Sequence, residues 1–287
     1  MTKSFSVTLI TYITAFFVAF FACKNSIGLN QWLMIVIGHL SATFVVFVFS
    51  RIYRNSSLYD PFWSVAPIPI AIYLSLYPET GEINTTKVFL ITAPILFWGI
   101  RLTLNWARDW KGLIDEDFRY INLKEKPFAI LIDLFGIHIY PTLQVNLSLL
   151  PIYFSLSLSN ADVNIWLVIA SLFTFLSVIL ETIADEQMRK FRRNKENLGK
   201  TMRKGLWSLS RHPNYLGEIT LWLGVSIMSL SSLTGWQLIT LISPVFTYIL
   251  LVYISGVRIL EERGKKKWGH LDSYQEYIKN TPTLLFK

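Results

Sequence analysis

The chain has 287 residues, 52% of them hydrophobic and only 16% charged, with a mean hydropathy of +0.42. Soluble domains are nearer a quarter charged, and long uncharged blocks do not stay exposed to water, so a soluble globular protein is excluded. Against that apolar background, 27 Lys and Arg face 19 Asp and Glu, and the net charge of +8 needs a location.

Taken in chain order, blocks long enough to cross a bilayer as helices run Phe5–Ala22, Gln31–Ser50, Pro61–Tyr77, Val88–Leu104, Tyr140–Ser159, Ile165–Thr182, Tyr215–Leu233 and Trp236–Gly256. They predict an all-α, polytopic transmembrane helix bundle of about eight spans, a single membrane domain over 1–287. Residues 1–50 are expected to form peripheral N-terminal helices, 51–287 the core, and 258–287 a C-terminal tail. The short apolar run Phe128–Leu134 carries Asp133 and reads as interfacial or re-entrant. Prolines within the spans are tolerable as kinks, because neighbouring helices re-satisfy the freed carbonyls.

With eight spans, both termini and the even-numbered connections share one side. Every Lys and Arg except Lys24 and Lys87 falls there, with Arg101 and Arg258 counted at their nearest ends. The positive-inside rule makes that side, and both termini, cytoplasmic. The host membrane is then a bacterial inner membrane or the endoplasmic reticulum. The charge is also uneven. Between Asp185 and Arg211 lie nine basic residues: Arg189, Lys190, Arg192, Arg193, Lys195, Lys200, Arg203, Lys204 and Arg211. Attraction to anionic lipid heads, roughly 1 kcal/mol per basic residue near the surface, explains part of this excess. A phosphate-bearing ligand held by arginines explains the clustering. Nucleic-acid binding needs a basic face on a soluble domain, which is lacking.

Polar residues gather at the basic ends of the spans. Glu181, Asp185, Arg189 and Arg192 recur at helical spacing on one face. They form either a ladder of ion pairs or a place where an acid holds hydroxyls and arginines hold a phosphate. Pro213 suits a first helical turn, with Ser210 or His212 near the cap and with Asn214, Tyr215 and Glu218 just inside. A carboxylate at Glu218 is costly in a span unless paired or functional. Asp60 opens the third span after Tyr59 and before Trp63. Arg101 and Asn105 end the fourth span, one turn apart, with Trp98 before them; Asp60 is a candidate partner for Arg101. Gln144 and Asn146 are either glue between helices or pocket groups. Cys23 is the lone cysteine, and the four histidines lack ligand spacing, so no metal is expected. There is no Rossmann or Walker motif.

Gly205-Leu-Trp-Ser-Leu-Ser-Arg-His-Pro-Asn-Tyr-Leu-Gly-Glu218 resembles the signature of the steroid 5-alpha-reductase superfamily, and the chain is similar to its bacterial and lower-eukaryote branch. The likeness takes in Tyr59-Asp-Pro-Phe-Trp63, Arg101-Leu-Thr-Leu-Asn-Trp106, Glu116-Asp-Phe-Arg-Tyr120, Asp185 to Arg192, Glu261-Glu-Arg263 and Tyr274-Gln-Glu-Tyr277. It covers most of the chain from about residue 50.

The resemblance implies a membrane enzyme that takes NADPH from the cytosolic side and reduces a conjugated carbon–carbon double bond in a lipid or sterol-like substrate. It implies cofactor contacts at Asp185, Arg189, Arg192, Arg211, Asn214, Tyr215, Glu218 and Arg258. It implies that Asp60 is the acid that bonds the substrate carbonyl; Tyr59 and Arg101 are the other catalytic candidates, and Trp63, Trp98, Asn105 and Gln144 the candidates for substrate contact. The tyrosine that accompanies the acid in steroid reductases falls at Trp98, which cannot donate a phenolic proton. That departure counts against a 3-oxo-steroid, and Tyr59 is a possible substitute. A rival resemblance is to isoprenylcysteine-type methyltransferases, which use S-adenosylmethionine and share Arg211-His-Pro-x-Tyr215 and the Tyr274-x-x-Tyr277 tail. A lipid-binding or transport protein is the non-enzymatic alternative. The basic cluster suits NADPH better than a cationic sulfonium cofactor.

Overall fold

The computed structural model describes residues 2–286, and these are helical, without a β-strand among them. In chain order the α-helices are α1 (Thr2–Asn25), α2 (Gln31–Ile52), α3 (Phe62–Val65), α4 (Pro67–Leu76), α5 (Thr85–Asp109), α6 (Phe118–Lys124), α7 (Ala129–Leu131), α8 (Tyr140–Ser157), α9 (Ile165–Arg193), α10 (Pro213–Ser229), α11 (Ser243–Ile249), α12 (Val257–Trp268) and α13 (Asp272–Asn280). Asn side chains cap three long helices: Asn30 accepts from Leu33 N, Asn84 from Lys87 N and Asn164 from Leu167 N. Each cap satisfies one of the amides that a helix start leaves open.

Among the described residues, six segments are long and apolar enough to cross a membrane: Thr2–Asn25, Gln31–Ile52, Thr85–Asp109, Ala129–Ser157, Ile165–Arg193 and Gly235–Trp268. The chain is a polytopic helical membrane protein. The two other expected spans are present as shorter helices. The third is divided at Ala66 into α3 and α4, because Pro67 begins a new helix. The seventh is α10, whose 17 residues reach about 25 Å, short of a hydrocarbon core of about 30 Å. The run expected to be re-entrant is instead continuous with the fifth span: α7 passes through a π-helical stretch, Ile132–Ile139, into α8.

The residues cluster into two compact units. The first comprises Met1–Asp162 with Ser232–Thr240; the second comprises Val163–Ser231 with Leu241–Lys287. In the first unit, Ala15 of α1 and Ala42 and Val46 of α2 share a core with Leu58, Tyr59, Phe62 and Ala66. The N-terminal helices are therefore packed on the turn that holds Asp60. Tyr12 of α1 donates to the Leu58 carbonyl at 2.8 Å, which reinforces that contact.

In the second unit α9 lies against α10 on small residues. A Cβ at Gly217 would stand 2.7 Å from the Glu181 Cβ, and one at Gly224 would overlap the Thr174 hydroxyl. Seven residues separate these glycines on α10, two helical turns, so they form one flat seam. Gly224→Leu should therefore separate the helices. The expected loss is about 1–3 kcal/mol or more, read as a lowered unfolding midpoint in detergent, whereas Leu223→Ala on the exposed side should leave it nearly unchanged.

Candidate functional site

The catalytic and substrate candidates lie in the first unit and the cofactor candidates in the second. The first centre is the turn between α2 and α3. Asn55 caps it by accepting from Ser57 N at 2.9 Å and donates to the carbonyls of Leu113 and Asp115 at 2.9 and 3.1 Å. Glu116 accepts from Ser56 N at 2.6 Å, and Asp117 N donates to the Ser57 hydroxyl at 3.0 Å. The Glu116-to-Tyr120 motif thus folds back onto the turn, across 60 positions. Its last member, Tyr120, donates to Asp60 Oδ1 at 2.7 Å.

Asp60 lies in the connection ahead of α3. Burial pushes its carboxyl up to about 6, against the lowering effect of the Tyr120 hydrogen bond; Asp117 adds to the rise and Arg119 opposes it. The Tyr120 phenol is itself raised by burial and by Asp60, so it stays a neutral donor. Sequence reasoning placed Tyr59 as the companion phenol. Tyr59 is instead bonded to the Thr142 hydroxyl at 2.8 Å and faces the edge of the His138 ring. Tyr120 was visible only as part of a motif, since nothing in its spacing points to Asp60.

The wall candidates are partly assembled. Trp98 is fully buried and meets Trp63 edge to face at 5.4 Å. Ser64, next to Trp63, bonds Thr103 on α5 at 2.9 Å, two residues from both Arg101 and Asn105. Gly99 permits this approach, because a Cβ there would meet the Ser64 carbonyl at 2.6 Å. Gln144 is buried and donates to Ser148 at 2.9 Å, one turn along α8.

A buried polar group beside this turn went unread in the sequence. Asp133 and His138 are both fully buried. Their five-residue spacing faces opposite ways in an α-helix, but the π-helical stretch brings them together. His138 Nδ1 lies 2.9 Å from the Asp133 carbonyl oxygen, which can only accept, so Nδ1 carries the proton. Ser56 donates to the Asp133 carboxylate at 2.7 Å, and Arg51 approaches it at 3.4 Å. These partners account for a carboxylate inside an apolar run.

In the second unit α9 is 29 residues, about 43 Å, so its last turns extend past a hydrocarbon core. These turns carry Asp185, which is partly buried, and Arg189, which is 5% exposed and bonded to Glu186 at 2.9 Å. Arg192 is exposed, with no ion pair among the described residues. The Gly205 turn has φ +60° and is pinned to α9, where Leu206 N donates to Gln187 and Trp207 Nε1 to the Ala184 carbonyl. Pro213 occupies the first turn of α10, as expected. Just inside, the Asn214 carbonyl oxygen is buried without a hydrogen-bond partner among the described residues. Tyr215 packs on Gly256, and Glu218 accepts from Trp222 Nε1 at 2.7 Å.

Two cofactor candidates are otherwise engaged. Arg258 pairs with Glu262 at 3.2 Å on an exposed helix face. Arg211 pairs with Glu261 at 3.1 Å and donates to the Ile278 carbonyl and the Thr283 hydroxyl. His212 joins Glu261 at 2.8 Å, and Tyr277 donates to the Trp207 carbonyl at 2.7 Å. Arg211, His212 and Tyr277 therefore tie down the C-terminal segment.

This arrangement defines a class: a polytopic helical membrane protein with a partly buried acid–phenol pair at one helix entrance and a basic helix end in its other unit. Residues 46–281 match the family described as Protein of unknown function (DUF1295), and the chain belongs to that family. It is similar to the uncharacterized protein C594.04c of Schizosaccharomyces pombe, 27% identical over 256 residues that cover 78% of this chain and 72% of the relative. No solved structure matches the chain.

Removing the Tyr120 hydroxyl should move Asp60 further up. A hydrogen bond to a charged group contributes roughly 1.5–3 kcal/mol, so Tyr120→Phe should raise the Asp60 midpoint by about one pH unit or more. Infrared titration of the protonated carboxyl stretch would read the shift, and an unmoved midpoint would show that the pair is not coupled.

Proposed function

We propose that this protein is a membrane-embedded, NADPH-dependent reductase of a conjugated carbon–carbon double bond in an apolar lipid, of sterol, isoprenoid or fatty type. The observation that carries the reading is the Asp60–Tyr120 pair: a carboxyl raised to about 6 and held by a neutral phenol at 2.7 Å. Such an acid is protonated in part near neutrality, where general acids work best. Asp60 in its protonated form donates to the substrate carbonyl oxygen, where negative charge develops during reduction. Tyr120 holds one carboxyl oxygen, and Ser57 also hydrogen-bonds the carboxyl. The contact between partly buried Trp63 and fully buried Trp98 of α5 supplies an apolar wall suited to a lipid.

The second unit fits a phosphorylated dinucleotide. The unpartnered Asn214 oxygen accepts from a ligand donor, Asp185 takes hydroxyls, and the exposed Arg192 takes a phosphate. NADPH, when bound, supplies hydride. The resemblance to the steroid 5-alpha-reductase superfamily supports this reading, and with it a site reached from the cytosol. S-adenosylmethionine is the alternative cofactor, and mass spectrometry of the detergent-purified protein separates the two by what is retained.

Asp60→Asn keeps the shape but cannot release a proton, so turnover should fall by about a hundredfold with cofactor affinity unchanged. In the parent protein, turnover should decline as pH rises through about 6, because the neutral Asp60 carboxyl is the active form. A flat profile from pH 5 to 8 contradicts the role. Arg192→Ala should weaken NADPH about tenfold, or about 1.4 kcal/mol, while sparing NADH. Equal losses for both nucleotides would remove Arg192 from the phosphate site.

A further inference from the structure

A second polar site lies at the opposite end of α5 from Arg101, about 20 Å along that helix. A cavity of about 360 Å³ opens there, bounded by the connection into α5, the first turn of that helix and the connection after α8. Lys87 stands in its wall, only 4% exposed. Its ammonium donates to the Ser159 carbonyl at 2.8 Å, the one acceptor it has among the described residues, and it feels the field of Asp162. An ammonium has three donors, so a buried one with a single acceptor is left under-satisfied. Lys87 is also one of the only two basic residues that fall outside the basic side of the sequence. Topology therefore does not explain it.

The cavity is ordered by charge. Val88 and Leu156 supply apolar wall on the helices, Lys87 is buried at the first turn, and Glu82 and Asp162 are exposed on the connections beyond. A zwitterionic phospholipid has the same order along its length: acyl chains, then phosphate, then a terminal ammonium toward water. We propose that this cavity holds the phosphoethanolamine head of a membrane phospholipid. Phosphate would sit on Lys87, aided by the positive end of α5, and the primary ammonium on Glu82 and Asp162. Helix ends are where lipid heads lie, which favours the lipid over a soluble source of the same group. A trimethylated head cannot donate hydrogen bonds to the two carboxylates, and a glycerol head leaves them facing an uncompensated anion. The proposal is independent of the reductase reading.

Native mass spectrometry of the full chain, released from micelles with equal amounts of phosphatidylethanolamine, phosphatidylcholine and phosphatidylglycerol, tests it. Retention of phosphatidylethanolamine about tenfold above the other two is expected. Lys87→Met should reduce that retention about tenfold. Because Lys87 is buried, the exposed pair Glu82→Gln with Asp162→Asn provides a second test that leaves the core untouched, and it should abolish the preference over phosphatidylcholine. Equal retention of all three lipids, or an unchanged preference in both variants, overturns the proposal. Displacement of the lipid by soluble phosphoethanolamine at the same concentration overturns the lipid assignment.

Discussion

The first unit depends on how the turn before α3 is held. A helix start leaves amides open, and Asn55, Ser56 and Ser57 could not be buried with theirs unsatisfied. Glu116 takes the Ser56 amide from 60 positions away, Asn55 Oδ1 takes that of Ser57, and the carbonyls of Leu113 and Asp115 hold the Asn55 side chain in place. That single debt fixes the loop after α5, and through it delivers Tyr120 to Asp60. The same turn is covered by Tyr12 of α1 and packed on α2, so the first two helices belong to the support of the acid. The family match begins only at residue 46, yet the physical support begins in α1.

The second unit is organised by close approach. Small residues at Gly217 and Gly224 let α10 lie on α9, and Glu181 stands at that seam. Arg211 and His212, converging on Glu261, fasten the C-terminal segment beneath the start of α10. Within a basic cluster the charges therefore serve different ends. Arg211 is an internal tie, Arg189 a partner for Glu186, and Arg192 is open to solvent. Composition alone treats them as equals.

Much of the helical order was legible because hydrophobic length reports a membrane span directly. Where it misled, local backbone chemistry was the cause. Asp133 reads as an interruption in Phe128–Leu134, since a one-dimensional pattern does not show that Ser56 and His138 compensate it. The π-helical stretch is equally silent, because five-residue spacing carries no signal on an α-helical wheel. Pro61 and Pro67 marked a break in the third span, but length outweighed them. Asp60 was legible as a costly acid at a helix entrance. Its partner was not, because Tyr120 reaches it through a loop whose course is set by hydrogen bonds rather than by periodicity.

Sequence by itself therefore determined the membrane class, the all-helical content and the identity of the polar residues that apolar surroundings make costly. These follow from hydropathy and charge, which are properties of short segments. Tertiary structure decided which phenol meets Asp60, which arginines are tied and which are exposed, and that Lys87 is buried. Those outcomes rest on contacts between distant segments, and an under-satisfied charge or amide finds its partner only when the chain has folded. The excess of +8 is thus not one quantity. Part of it is internal fastening, as at Arg211, and part is exposed, as at Arg192.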